Sequence, residues 1–196
     1  MNIYTERPPM VETERMFNEF ATAIHMDARE LTVEEIEARF PEGFPVEEGQ
    51  ETPTTLWTAT DYFIYHSTPQ PDRSEVKKII DNHINARTDE RILSGFVWTP
   101  PATVPDDSPS AIHVWLSEEN QRNFSEAQRV AMITNGQSLP MTFKLGEDAD
   151  GNPVYHVFST IEELTGFYLQ AVAYINQCLN EGWTEKDSIN IEESSA

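Results

Sequence analysis

"FKLGEDADGNPVYHVFSTIEEL", residues 143 to 164, reads in two ways, and the choice decides what kind of domain surrounds it. Asp148, Asp150 and Asn152 stand at alternate positions, as the first ligands of a calcium loop do. Counted from Asp148, however, the sixth position wants glycine and holds Pro153, and the twelfth wants a bidentate glutamate and holds Ser159. A β-hairpin asks for less. Asp150-Gly151 and Gly151-Asn152 favour positive φ, and β-forming residues flank them on both sides. The stretch predicts a hairpin, with cation binding by Asp148, Asp150 and Asn152 left as a separate question.

Working outward, Ser159 with Glu162 and Thr160 with Glu163 both have capping-box spacing, so a helix should open here. Leu164, Phe167, Ala171, Ile175, Cys178 and Leu179 fall on one stripe of it and should face a core. Gly182 reads as its end, with Trp183 folding back to pack on it. Upstream, Val76, Ile79, Ile80, His83, Ile84 and Arg87 form another helical stripe, closed by Gly95 as a C-cap. Phe96–Trp98 and Ile112–Leu116 read as strands, separated by Pro100, Pro101, Pro105 and Pro109. Ser117 should cap the next helix, and Asn135-Gly136 should end it.

The first 70 residues read as a smaller, mixed module. "VETERMFNEFATAIHM" looks helical, with Phe17, Phe20, Ala21 and Ile24 at helical spacing. Thr32 and Glu35 mark a short capped helix that stops before Pro41. "TLWTATDYFIYHS" has strand composition around a polar turn. Pro69 and Pro71 stop both helix and sheet, so the boundary falls there. The expected layout is an N-terminal module (1–70), a C-terminal domain (71–187) and a polar tail (188–196). The expected class is α+β, a small antiparallel sheet packed against two or three helices.

The chain has 196 residues and a formal charge of −21, from 13 basic and 34 acidic side chains. Such a surface repels phosphate backbones and anionic membranes, so neither nucleic acid nor membrane is expected as a partner. Cys178 is the one cysteine, which excludes an internal disulfide framework. The charged start "MNIYTERPPMVETER" is no signal peptide, and no apolar run is long enough to span a bilayer. A reducing cytoplasm is the expected place of synthesis.

The catalytic signatures are missing. No Gly-rich phosphate loop, G-x-S-x-G or H-E-x-x-H occurs. His25, His66, His83, His113 and His156 lie too far apart in sequence to form a local zinc pair. They read as surface or hydrogen-bonded core residues, and Cys178 reads as a packing residue in its helix stripe. The expected protein is not an enzyme and has no catalytic residues, metal or cofactor.

The second half nevertheless follows a pattern. A helix leads into "GF.W", then "VWLS", a helix bearing "NQRNF", the strands "LPMTFKL" and "VYHVF", and a closing helix "LTGFYLQAVAYINQCLNEGW". In this order, and in Gly95-Phe96, Trp115-Leu116 and Phe143, residues 74 to 187 resemble a phage domain of unknown function. That domain is found in tail-associated and tail-fibre-associated proteins. The resemblance implies a virion or tail-assembly setting and no chemistry. It favours a non-enzymatic tail adaptor or fibre-associated component that joins other tail or virion proteins, as a homo-oligomer and, by analogy, a trimer. A tail-fibre assembly chaperone absent from the mature particle is the alternative. A nucleic-acid mimic that inhibits a host protein is another and rests on charge alone. Partner contacts are expected at Phe40, Phe44 and Trp57, as aromatic anchors, and at Pro100, Pro101, Pro105 and Pro109, as a stiffened loop. The three aromatics could equally fill the core of their own module.

Overall fold

The computed structural model describes residues 2–46, 52–101 and 110–191. The class is α+β, 41% helix and 28% strand, with small antiparallel sheets and, among the described residues, four helices. The chain forms two compact units. Unit 1 takes residues to 83 and the tail from 188, and unit 2 is Ile84–Asp187. The division falls at 83/84, inside a helix, rather than at the prolines near 70.

Unit 1 is built on a four-stranded antiparallel sheet of β1 (Asn2–Tyr4), β2 (Val11–Met16), β3 (Glu19–Glu30) and β4 (Trp57–His66), in the order β1-β4-β3-β2. Two expectations fail here. "VETERMFNEFATAIHM" is the β2–β3 hairpin, not a helix. Met16 pairs with Glu19, which leaves a two-residue loop with Phe17 at φ 47°. The helical spacing of Phe17, Phe20, Ala21 and Ile24 misled because these residues do not all lie on one face. Phe17 is the tip, Phe20 and Ile24 lie on one side of the sheet, and Ala21 lies on the other. Nor does β4 contain a turn. Thr60 and Asp61 continue the strand, and Asp61 points its carboxylate at His25.

One face of the sheet carries Val11, Thr22, Ile24, Met26 and Ile64, all buried. The start of α2 (Arg73–Ser94) supplies buried Val76 and Ile80, and a 2.9 Å hydrogen bond from the Tyr62 hydroxyl to His83 Nδ1 ties it to β4. α1 (Val33–Arg39) forms as expected. Thr32 and Glu35 complete a reciprocal capping box, and the helix ends before Pro41.

Unit 2 packs two hairpins against helices. β5 (Phe96–Trp98) pairs with β6 (Ile112–Val114), and β7 (Met141–Glu147) pairs with β8 (Pro153–Phe158). The Trp115 N–H donates to the Leu145 carbonyl at 2.8 Å and links the hairpins. Gly95 closes α2 at φ 89°, and any Cβ there would lie 1.8 Å from the Val114 carbonyl oxygen, so only glycine fits. α3 (Glu118–Ile133) is capped by Ser117, whose hydroxyl accepts from the Asn120 N–H, and it ends at Asn135-Gly136, both at positive φ.

α4 (Ile161–Ser188) opens with the Thr160 hydroxyl accepting from the Glu163 N–H. Leu164, Phe167, Ala171 and Cys178 are buried as expected, whereas Ile175 and Leu179 are half-buried. Gly182 does not end this helix. It is buried mid-helix, where a Cβ would lie 2.6 Å from the Thr88 hydroxyl of α2. The glycine serves a close helix approach, and Trp183 stays on the helix surface, 54% exposed.

Candidate functional site

The opening hairpin is structural. Asp148 Oδ1 accepts from the backbone N–H groups of Asp150, at 2.9 Å, and Asn152, at 2.8 Å. These bonds, those from Asn152 first, lower the pKa of the Asp148 carboxyl. The Asp148 carboxylate holds the turn together.

The expected partner contacts are divided between the two units. Phe40 and Phe44 stack edge to face at 5.0 Å, both half-buried. Trp57 lies elsewhere in unit 1, with the Arg7 guanidinium 5.6 Å above its ring. In unit 2, Pro100 is half-buried, and Pro101 lines a shallow cleft of about 420 Å³ with Trp98, Glu163 and Phe167. Pro105 and Pro109 lie outside the described residues.

The histidines are where chemistry gathers. In unit 1 three of them sit in separate hydrogen-bonded chains. His66 Nδ1 donates to the Thr68 carbonyl at 2.7 Å, so its Nε2 accepts from Thr22, whose oxygen in turn accepts from Thr13. His83 accepts from Tyr62 at Nδ1 and donates from Nε2 to Asp27 at 2.7 Å. Asp27 reaches it from a bulge in β3, at φ 53°. In unit 2, His156 Nε2 bonds Glu163 Oε1 at 2.8 Å, beneath the edge-on ring of Trp98.

His25 differs from these. Its Nδ1 lies 2.8 Å from Asp61 Oδ1 and 3.1 Å from the Tyr4 hydroxyl. Both side chains of the His25–Asp61 pair are about 95% buried. Asp61 also accepts from the Asn2 amide. Burial, and then the hydrogen bond to Asp61, push the Tyr4 hydroxyl up to about 12. A carboxylate can only accept, so Nδ1 carries a proton, and in the neutral imidazole Nε2 then presents a lone pair. That Nε2 is buried and, among the described residues, has no hydrogen-bond partner. Its nearest charged neighbour, Glu12 Oε2, stands 3.9 Å away, too far for a hydrogen bond.

His25 lines a cleft of about 380 Å³ on the second face of the unit 1 sheet. Near Trp57 and Ala59 this face is covered, with Ala59 fully buried. Further along β4 it opens. Phe63 is 53% exposed, Tyr65 66%, and Met16 on β2 50%. Ala21 and Ala23 form the floor, since small side chains at adjacent register positions leave room above the sheet. Among the described residues, no group of three or more His, Cys, Asp or Glu is placed to hold a metal ion, and no helix is long and apolar enough to cross a membrane.

A family model described as a domain of unknown function (DUF4376) matches residues 75–196. The chain belongs to the DUF4376 family. No curated protein and no solved structure matches it. The DUF4376 match starts within the first turn of α2, so Tyr4, His25 and Asp61 precede it. They are 21 and 36 residues apart in sequence, and only the strand register brings them together. The one local hint was the pair of buried polar residues, His25 and Asp61, in strands otherwise rich in β formers.

Proposed function

We propose that this chain is a non-enzymatic phage virion component, a tail adaptor or fibre-associated protein that joins other tail proteins as a homo-oligomer, with three-fold symmetry favoured by analogy. The observation that supports this reading is the open sheet face of unit 1. A sheet with one packed face normally turns polar side chains outward. Here Met16, Phe63 and Tyr65 face outward together, and Phe17 at the adjoining hairpin tip is 97% exposed. Apolar groups clustered in this way on so acidic a chain mark a surface that is covered in use. The resemblance of residues 74 to 187 to the tail-associated phage domain supplies the setting.

Washed, purified particles should contain the chain in several copies. Its absence from them, despite strong expression during infection, overturns the adaptor reading. Phe63→Ser combined with Tyr65→Ser should leave the fold intact, since both rings are over half exposed, and should abolish incorporation. The net charge of −21 also favours a second reading, a soluble chaperone for fibre assembly, because like charges suppress self-association. Co-expression with the fibre separates the two: a chaperone raises the yield of assembled fibre and leaves, whereas an adaptor stays bound.

A further inference from the structure

We infer that the unit 1 cleft is a binding site for a primary alkylammonium group, with His25 Nε2 as its hydrogen-bond acceptor and Glu12 as its counter-charge. The inference holds whether or not the chain is a virion protein. It starts from an imbalance. His66 and His83 have both ring nitrogens satisfied, whereas His25 has one. A buried acceptor without a partner is costly, and Asp61 fixes the tautomer that creates it. The missing group is therefore a donor.

The surroundings say which donor. Glu12 and Glu14 project from β2 along one side of the cleft, so a positive donor is favoured over a neutral one. Glu12 is half exposed and free to swing across the 3.9 Å that separates it from Nε2, which opens the nitrogen and lets both groups hold one ligand. The remaining lining, Ala21, Ala23, Met16 and Phe63, is apolar. It suits a short hydrocarbon stem behind the charged head, and the open rings of Phe63 and Tyr65 present faces that attract cations. An ammonium needs only separate acceptors, which His25 Nε2 and the Glu12 carboxylate supply. A metal ion would need a third ligand, and none is placed here among the described residues.

A free amine and a lysine side chain both carry this ammonium group, and the test separates the two sources. The full chain, with ¹⁵N-labelled histidine, is titrated with n-butylamine and, separately, with a short neutral peptide carrying one lysine between apolar residues. n-Butanol is the uncharged control, and exposed His113 is the internal reference. Saturable shifts of the His25 ring signals are expected, with His113 unmoved and n-butanol binding at least roughly tenfold more weakly. Glu12→Gln, at an exposed position that leaves the fold intact, should weaken binding by roughly tenfold. Response to both probes supports a small-amine site, and response to the peptide alone supports a lysine of a protein partner. No shift with either probe, or unchanged affinity in Glu12→Gln, overturns the proposal.

Discussion

The two units are held together by different forces. In unit 2, Trp98, Phe124, Phe143, Phe158 and Phe167 form one connected cluster, with Phe167 4.9 Å from the rings of Trp98, Phe124 and Phe158. In unit 1, the sheet is threaded by chains of hydroxyl, imidazole and carboxylate, several of them linking different strands. Burial of apolar area is non-directional, and its strength grows with that area. A hydrogen-bonded chain needs every donor matched to an acceptor, so it is weaker per group but fixes register. Unit 2 gains most of its stability from burial, whereas unit 1 gains specificity of pairing.

The hardest blow to this contrast is Phe167→Ala. It removes the ring that four others contact, and should cost unit 2 about 3–5 kcal/mol, read by denaturant unfolding followed through tryptophan fluorescence. A loss under about 1 kcal/mol would mean that the cluster is not the main support. Next comes Asp27→Ala, which removes the acceptor of the His83 Nε2–H and places an alanine at φ 53°. A loss of about 1–3 kcal/mol is expected. Asp27→Asn keeps both an acceptor and tolerance of the left-handed region, and should cost clearly less. A loss under about 0.5 kcal/mol in Asp27→Ala would show that the chain through His83 adds nothing.

A smaller effect, of opposite sign, is expected at the hairpin tip. Phe17→Gly relieves a φ of 47° and forfeits little packing, since the ring is 97% exposed. Unit 1 should gain about 1 kcal/mol, seen as a higher unfolding midpoint, while incorporation into particles falls if Phe17 is part of the joining surface.

The smallest effect is at α1. The Arg29 guanidinium, which grips Glu35 with both nitrogens, and the Thr32 backbone hold that carboxyl down to about 2, against 4.5 ordinarily. Because the folded pKa is depressed, the support it gives is complete above about 4.5 and is lost as pH falls toward 2. The pair is exposed, so salt should weaken it. Carboxyl carbon shifts of Glu35 should follow this midpoint, and Arg29→Gln should return it toward the ordinary value.

Most of unit 2 was legible because its boundaries are local. Ser117, Thr160 with Glu163, Gly95, and Asn135-Gly136 each announce a helix end within five residues of the group they bond. Gly182 shows the limit of such reading, since the glycine that ends a helix and the glycine that admits a neighbouring helix look alike in one dimension. In unit 1 the signals are spread out. Strand β2 has only two apolar residues, Val11 and Met16, and its turn uses Phe17-Asn18 without a glycine, so nothing local marks a hairpin. The Tyr4–His25–Asp61 cluster depends on the register of β3 with β4, which no spacing reveals.

Phe17 also bears on how the chain meets proteases. It is an aromatic side chain in open solvent and so an obvious target for a chymotrypsin-like enzyme. Such an enzyme must draw several residues on either side of the bond into an extended form. The two-residue loop cannot supply them unless Met16 and Glu19, and the pairs behind them, come apart. Cleavage after Phe17 would then proceed at the rate at which β2 leaves the edge of the sheet, and a simple digest would report the opening of that strand.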